Sequence, residues 1–254
     1  YNLFNSSLTI AGDLTVNGVL DPGTRKTTFS GGAQQSVTAS SQVTFGSVVI
    51  SGSGTDVSLK NVRYRASSVT VDSGASLEVT SSTGGFFVSG NLSVNGSVTA
   101  NGEFRFTSAA TISGSPSSAT FSNLTTLGDL CIAAPITAAI ETLGSPDVRV
   151  DGSLGSGCNG GGNGSITLGG SFSLGGNFEI DGGSITPNGN LITFNGGGTQ
   201  NFIGGAASLG PIAIENNTTL QPSSDLSAGE LSVGSGSTLN MQKNGVALTL
   251  SGGT

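Results

Sequence analysis

Three segments of this chain carry one pattern. Leu8 to Gly18 (LTIAGDLTVNG), Phe86 to Gly96 (FFVSGNLSVNG) and Phe172 to Gly182 (FSLGGNFEIDG) each read apolar-x-apolar-x-Gly-x-apolar-x-apolar-x-Gly. A fourth copy begins at Leu248 (LTLSGG). Gly12, Gly90, Gly176 and Gly252 thereby mark one position, at spacings of 78, 86 and 76 residues. Each complete copy is followed by a landmark at Phe29, Phe106 or Phe194, and then by another at Phe45, Phe121 or Leu209, which lies 16, 15 and 15 residues further on. Self-similarity at a long, near-constant period is the signature of stacked repeat architectures. The chain therefore divides into units 8–85, 86–171 and 172–247, with a truncated fourth copy at 248–254.

Within a unit the runs are short and alternate with period two. Ser68-Val69-Thr70-Val71, Ser76-Leu77-Glu78-Val79 and Asn91-Leu92-Ser93-Val94 place aliphatic residues on one face and hydroxyls, amides or an acid on the other, which is the pattern of half-buried β-strands. Asn-Gly and Asp-Gly pairs punctuate the runs, at Asn17-Gly18, Asn95-Gly96, Asn101-Gly102, Asp151-Gly152, Asp181-Gly182 and Asn188-Gly189. They are expected to supply positive-φ turn positions. Such pairs often close antiparallel hairpins, but runs of about four residues are too short for a sandwich, and the larger unit recurs. Three short strands make a coil of roughly 20 residues, so each unit holds three or four coils. The expected fold is all-β: one continuous parallel β-helix, or β-solenoid, over residues 1–254 with short strands and Gly/Asn-rich turns. Strand-crossover chirality makes it right-handed. Coils stacked at about 4.8 Å give a rod on the order of 50–60 Å, its interior a column of Leu, Val, Ile and Phe.

Composition excludes the alternatives. Of 254 residues 43 are Gly, 9% are charged, and Trp and His are absent, so neither the propensities nor the periodicities supply helices for a bundle or an α/β fold. Low charge also separates the chain from simple disorder. A net charge of −7 with only eight basic residues disfavours nucleic acid and anionic lipid as partners. The most apolar stretch, Leu130 to Ile140, is too short to span a bilayer and contains Pro135. The densest basic group, Arg63-Tyr64-Arg65, reads as a solvated turn or strand edge, where Lys and Arg deter edge pairing.

Nucleophile–base catalysis usually relies on His, which is absent, and without it the usual zinc sites are out of reach; no cofactor or metal is expected. The match of Gly155 to Gly160 with GxGxxG carries no weight in a chain this rich in Gly. Cys131 and Cys158 allow one disulfide, in keeping with a secreted chain. Both fall in Asp129 to Gly164, the irregular part of the longest unit, which reads as a lateral loop excursion; insertions in solenoids collect on one face, often the binding face. Beside it Asp147, Arg149 and Asp151 form an i, i+2, i+4 set, the candidate lateral contact site, and Glu179 and Asp181 share one face of a strand. No residue is assigned a catalytic role.

The paired Phe-x-Gly-x-x-x-Gln element (Phe29 to Gln35, Phe194 to Gln200) together with the repeat resembles very large secreted bacterial surface proteins. These are adhesins and fibre proteins built as parallel β-helices, similar in kind to filamentous haemagglutinins and gliding-motility adhesins. Bactofilins share the Gly-x-apolar-x-apolar-x-Gly rhythm of Gly12 to Gly18 and Gly90 to Gly96, but are compact and cytoplasmic and lack such long units. The resemblance implies a structural or adhesive, non-catalytic segment of an extracellular filament at the cell surface. Its partners would be itself, end to end or as a longer chain, and surface glycans. The alternatives are a polysaccharide-active β-helix enzyme and a carbohydrate- or ice-binding module. The unfinished copy at Leu248 carries the further expectation that the rod continues.

Overall fold

A computed structural model describes residues 7–20, 22–80, 84–127, 130–142, 148–151, 164–204, 208–242 and 245–251. Among these there is no helix; the strands pair in parallel and wind into a β-solenoid of about ten turns. The chain divides into two compact units, 1–124 and 125–254.

In the first unit one sheet is built from Leu8–Ile10, Thr27–Phe29, Ser47–Ile50, Ser68–Val71, Leu92–Val94 and Ala110–Ser113, stacked in that order. A second stacks Leu14–Val16, Gln34–Ala39, Asp56–Leu59, Ser76–Val79 and the front half of Ser97–Phe106. A third ladder runs through Val43–Thr44, Arg63–Ala66 and Gly85–Val88 and joins the back half of that same long strand. Register advances by 18 to 23 residues per rung, as in Phe86↔Phe104 and Val69↔Leu92. Period-two alternation brings equivalent inward side chains together at each step. Ile10, Phe29, Ile50, Val71 and Val94 make one interior column, and Val43, Tyr64, Phe86 and Phe104 another. All nine are buried.

The second unit repeats the principle. One sheet stacks Leu130–Ala133, Val148–Asp151, Phe178–Asp181, Thr199–Gly204, Thr219–Pro222 and Thr238–Leu239. Another runs from Pro135–Thr142 through Ser165–Leu174, Ile192–Phe194 and Ile212–Ile214 to Leu231–Val233, and a third contains Ser208–Leu209, Leu226–Ala228 and Leu248–Leu250. The step Pro135↔Ser165 is 30 residues, against 20 for Ile192↔Ile212. Within residues 129–164, Leu130–Ala133, Pro135–Thr142 and Val148–Asp151 are strands that pair in the sheets; residues 129, 143–147 and 152–163, on which the rest of the expected excursion falls, lie outside the described residues.

Two further expectations need correcting. Strands are not uniformly short: Ser97–Phe106 and Ser165–Leu174 are 10 residues each, because the ladder turns a corner without breaking. Nor do all the Asn-Gly and Asp-Gly pairs adopt left-handed backbone. Gly182 (φ 68°) and Asn188-Gly189 (φ 51° and 74°) do so, but Gly18, Gly96 and Gly102 do not. At Gly96 what matters is the missing side chain, since a Cβ there would lie closer than 3.0 Å to the carbonyl oxygens of Asp72 and Ala75 in the preceding rung.

The Phe-x-Gly-x-x-x-Gln element has a structural explanation. Gln35 is 1% exposed; its Nε2 donates to the carbonyls of Ile10 (3.1 Å) and Gly12 (2.9 Å), and its Oε1 accepts from Gly31 N–H (3.5 Å). Gln200 repeats this, with Nε2 donating to the carbonyls of Leu174 (3.1 Å) and Gly176 and Oε1 accepting from Gly196 N–H (3.0 Å). At both corners the glycine lets two rungs touch, because a Cβ on Gly31 or Gly196 would collide with the carbonyl of Ala11 or Gly175. From the next rung, Thr55 Oγ1 accepts from Gly32 N–H (3.0 Å) and Thr218 Oγ1 from Gly197 N–H (3.1 Å). The buried amide thus ties its own rung to the preceding one and the threonine hydroxyl ties it to the next, and together they satisfy backbone groups that the strand ladder leaves unpaired at a corner.

Tyr64 is the other buried polar group of note. Its hydroxyl lies 2.6 Å from the Lys60 carbonyl and 2.8 Å from that of Val37, so its single proton is shared between two acceptors. Burial pushes the phenol from its ordinary 10.0 up to about 12, against the opposing effect of the Lys60 hydrogen bond. The folded state holds this proton more tightly than the unfolded chain, so Tyr64 contributes its full stability below pH 10 and loses it as pH rises from 10 through 12. Denaturation midpoints should fall across that window in the wild type and much less in Tyr64→Phe; parallel curves would show that Tyr64 is not responsible.

Candidate functional site

The strand Arg63–Ala66 turns Tyr64 and Ala66 inward and Arg63 and Arg65 outward. In the next rung Phe86 and Val88 are interior, so Phe87 takes the outward phase. In the rung after that Phe104 and Phe106 are interior, and Glu103 and Arg105 point out. Register sets Thr44, Arg65, Phe87 and Arg105 directly across from one another.

Three guanidinium groups cover the Phe87 ring: Arg63 Cζ lies 4.7 Å from its centroid, Arg105 Cζ 5.0 Å and Arg65 Cζ 5.9 Å. An outward-facing phenylalanine is therefore only 6% exposed. The ring's negative π face attracts the cations, at about 0.5–1 kcal/mol for exposed pairs and more where water is excluded. Gly85 makes the arrangement fit, because a Cβ there would press on the Phe87 ring and on Glu103. Glu103 forms an ion pair with Arg105. Arg63 and Arg65 are exposed and make no ion pair among the described residues. Beside this cluster a cleft of about 280 Å³ is lined by Thr44, Arg65, Phe87, Ser67, Ser89 and Thr107, among others. The last three form a column of exposed hydroxyls, each one residue beyond a position of the paired ladder Ala66–Val88–Phe106.

The reading of Arg63-Tyr64-Arg65 as a strand edge or turn is thus overturned. Arg63 and Arg65 lie on a strand paired on both sides, and their charge serves an aromatic platform instead of blocking an edge. Phe87 and Arg105 were missed by sequence reasoning. The usable signal was the rung spacing, which puts position 87 beside 65 and 105 beside 87, but it emerges only once register is known.

Of the residues singled out in the sequence, Asp147 and Cys158 lie outside the described residues. Cys131 is half-buried on Leu130–Ala133 and is disulfide-bonded. Arg149 and Asp151 belong to Val148–Asp151, and register sets position 149 beside Glu179 and 151 beside Asp181. Two groups that look separate in the sequence therefore occupy neighbouring rungs. Among the described residues, no group of three or more His, Cys, Asp and Glu side chains is placed to hold a metal ion.

Comparison of the chain with protein-family models, with curated proteins and with solved structures finds no match.

Proposed function

We propose that this chain is a structural and adhesive segment of an extracellular fibre or surface filament, acting without catalysis. The observation that supports this reading is the in-register ladder, in which each rung presents to the next the backbone groups and side-chain row that it received. Valine and isoleucine columns are continued outside by polar steps: Asp56 accepts from Ser76 Oγ (2.7 Å), Glu78 accepts from Ser58 Oγ (3.2 Å), and the hydroxyls of Thr15 and Thr38 meet at 3.4 Å. Nearest-neighbour stacking of this kind builds length in one dimension and needs no centre.

Antibodies against this chain should label intact cells of the source organism, and electron microscopy should place the label on surface filaments. Label that appears only after permeabilisation would overturn the reading, as would sustained release of products when the purified protein is incubated with acidic polysaccharides.

A further inference from the structure

We propose that the outer face around Arg63, Arg65, Phe87 and Arg105 binds an anionic polysaccharide, carboxylated or sulfated, laid along the cleft across successive rungs. The inference stands whether or not the chain builds a fibre. Gathering three cations on one ring is unfavourable for the isolated face, because like charges repel. The chain as a whole carries a net charge of −7, so this face opposes the general trend of the molecule. Phe87 holds the guanidiniums of Arg63 and Arg105 at 4.7 and 5.0 Å from its ring centroid, and a guanidinium so placed can grip carboxylate or sulfate oxygens with paired hydrogen bonds.

The neighbouring groups point to a sugar chain in place of an isolated anion. Ser67, Ser89 and Thr107 present hydroxyls one rung apart along the cleft. Rungs repeat at about 4.8 Å, comparable with the advance per residue of an extended glycan, so a polymer meets a hydroxyl at each step and an arginine on the two rungs that flank Phe87. At about 280 Å³ the cleft is smaller than the roughly 300–1,000 Å³ of enclosed small-molecule pockets, which suits a segment of a longer ligand. A phosphodiester polymer would offer charge too, but nothing in the cleft offers the row of exposed aromatic platforms on which bases stack.

The test is calorimetric titration of the purified chain with size-defined heparin oligosaccharides (sulfated), polygalacturonate oligosaccharides (carboxylated), dextran (neutral) and single-stranded DNA of matched charge. Binding of heparin or polygalacturonate, weakened by salt and absent for dextran, is expected. Arg65→Gln should weaken it about tenfold, and Arg63→Gln with Arg65→Gln should abolish it. Phe87→Leu keeps the apolar volume but removes the π face, and should weaken binding several-fold by freeing the guanidiniums. Lys243→Gln removes one positive charge elsewhere in the sequence and should leave affinity unchanged. Circular dichroism confirms that each variant is folded. Equal affinity in the double arginine variant, equal binding of dextran, tighter binding of DNA, or no binding of either anionic glycan would each overturn the proposal.

Discussion

Phe104→Ala is expected to destabilise the protein by about 3–5 kcal/mol, the range for deleting a fully buried phenylalanine. Phe104 is wholly buried and is the hub of an aromatic cluster. Its ring lies 5.5 Å from Phe86, 5.5 Å from Phe106 and 5.2 Å from Phe121, each at a steep edge-to-face angle. These partners come from its own rung and from both neighbours, so truncation opens a cavity that no single strand can close. Because a solenoid is held by nearest-neighbour contacts, the loss should be local. Hydrogen exchange should show faster opening of Gly85–Val88 and Ser97–Phe106, with little change in the distant strand Thr27–Phe29 of the same unit. A small shift in the denaturation midpoint, or a uniform loss of protection, would contradict this account.

The second large effect concerns two glycines that the sequence presents as equivalent. Gly18 and Gly96 end the same motif, LTVNG and LSVNG. Gly18 has no heavy atom within 4 Å of where a Cβ would stand, whereas a Cβ on Gly96 would be closer than 3.0 Å to backbone oxygens of the preceding rung. Backbone cannot swing away as a flexible side chain can. Gly96→Ala should therefore cost about 3 kcal/mol, through strain or loss of the rung contact. Gly18→Ala should be neutral, or stabilising by a few tenths through reduced freedom of the unfolded chain. Chemical denaturation of the two variants side by side decides the matter: similar midpoints would mean that the corner at Gly96 is not close-packed.

That pair also shows how far the sequence could be read. Alternation in Ser68–Val71 and Ser76–Val79 places the inward residues correctly, because period two is a property of extended backbone and needs no knowledge of neighbours. A rung of about 20 residues follows from run length and turn spacing, and register bears it out. The Phe-x-Gly-x-x-x-Gln element was visible as a recurrence, but its function was not, since Gln35 works by reaching carbonyls 23 and 25 residues back in the chain. The shared motif also lies at different corners. Its first copy joins Leu8–Ile10 to Leu14–Val16, and its second joins Gly85–Val88 to Leu92–Val94. A local pattern specifies a strand, a turn and a strand, and says nothing of which pair of faces they join.

The outer surface was the least legible part. Arg63 and Arg65 looked like solvated charges, because a single strand does not reveal that Phe87 lies 22 residues away from Arg65 in the next rung. The repeated motif and its alternating runs were enough to specify parallel strands coiled into a solenoid, since backbone geometry and burial of one side-chain face act on each run independently. Which residues meet across rungs was settled by register. Register depends on the summed packing of every column at once, and it alone brings three arginines from two strands onto one ring.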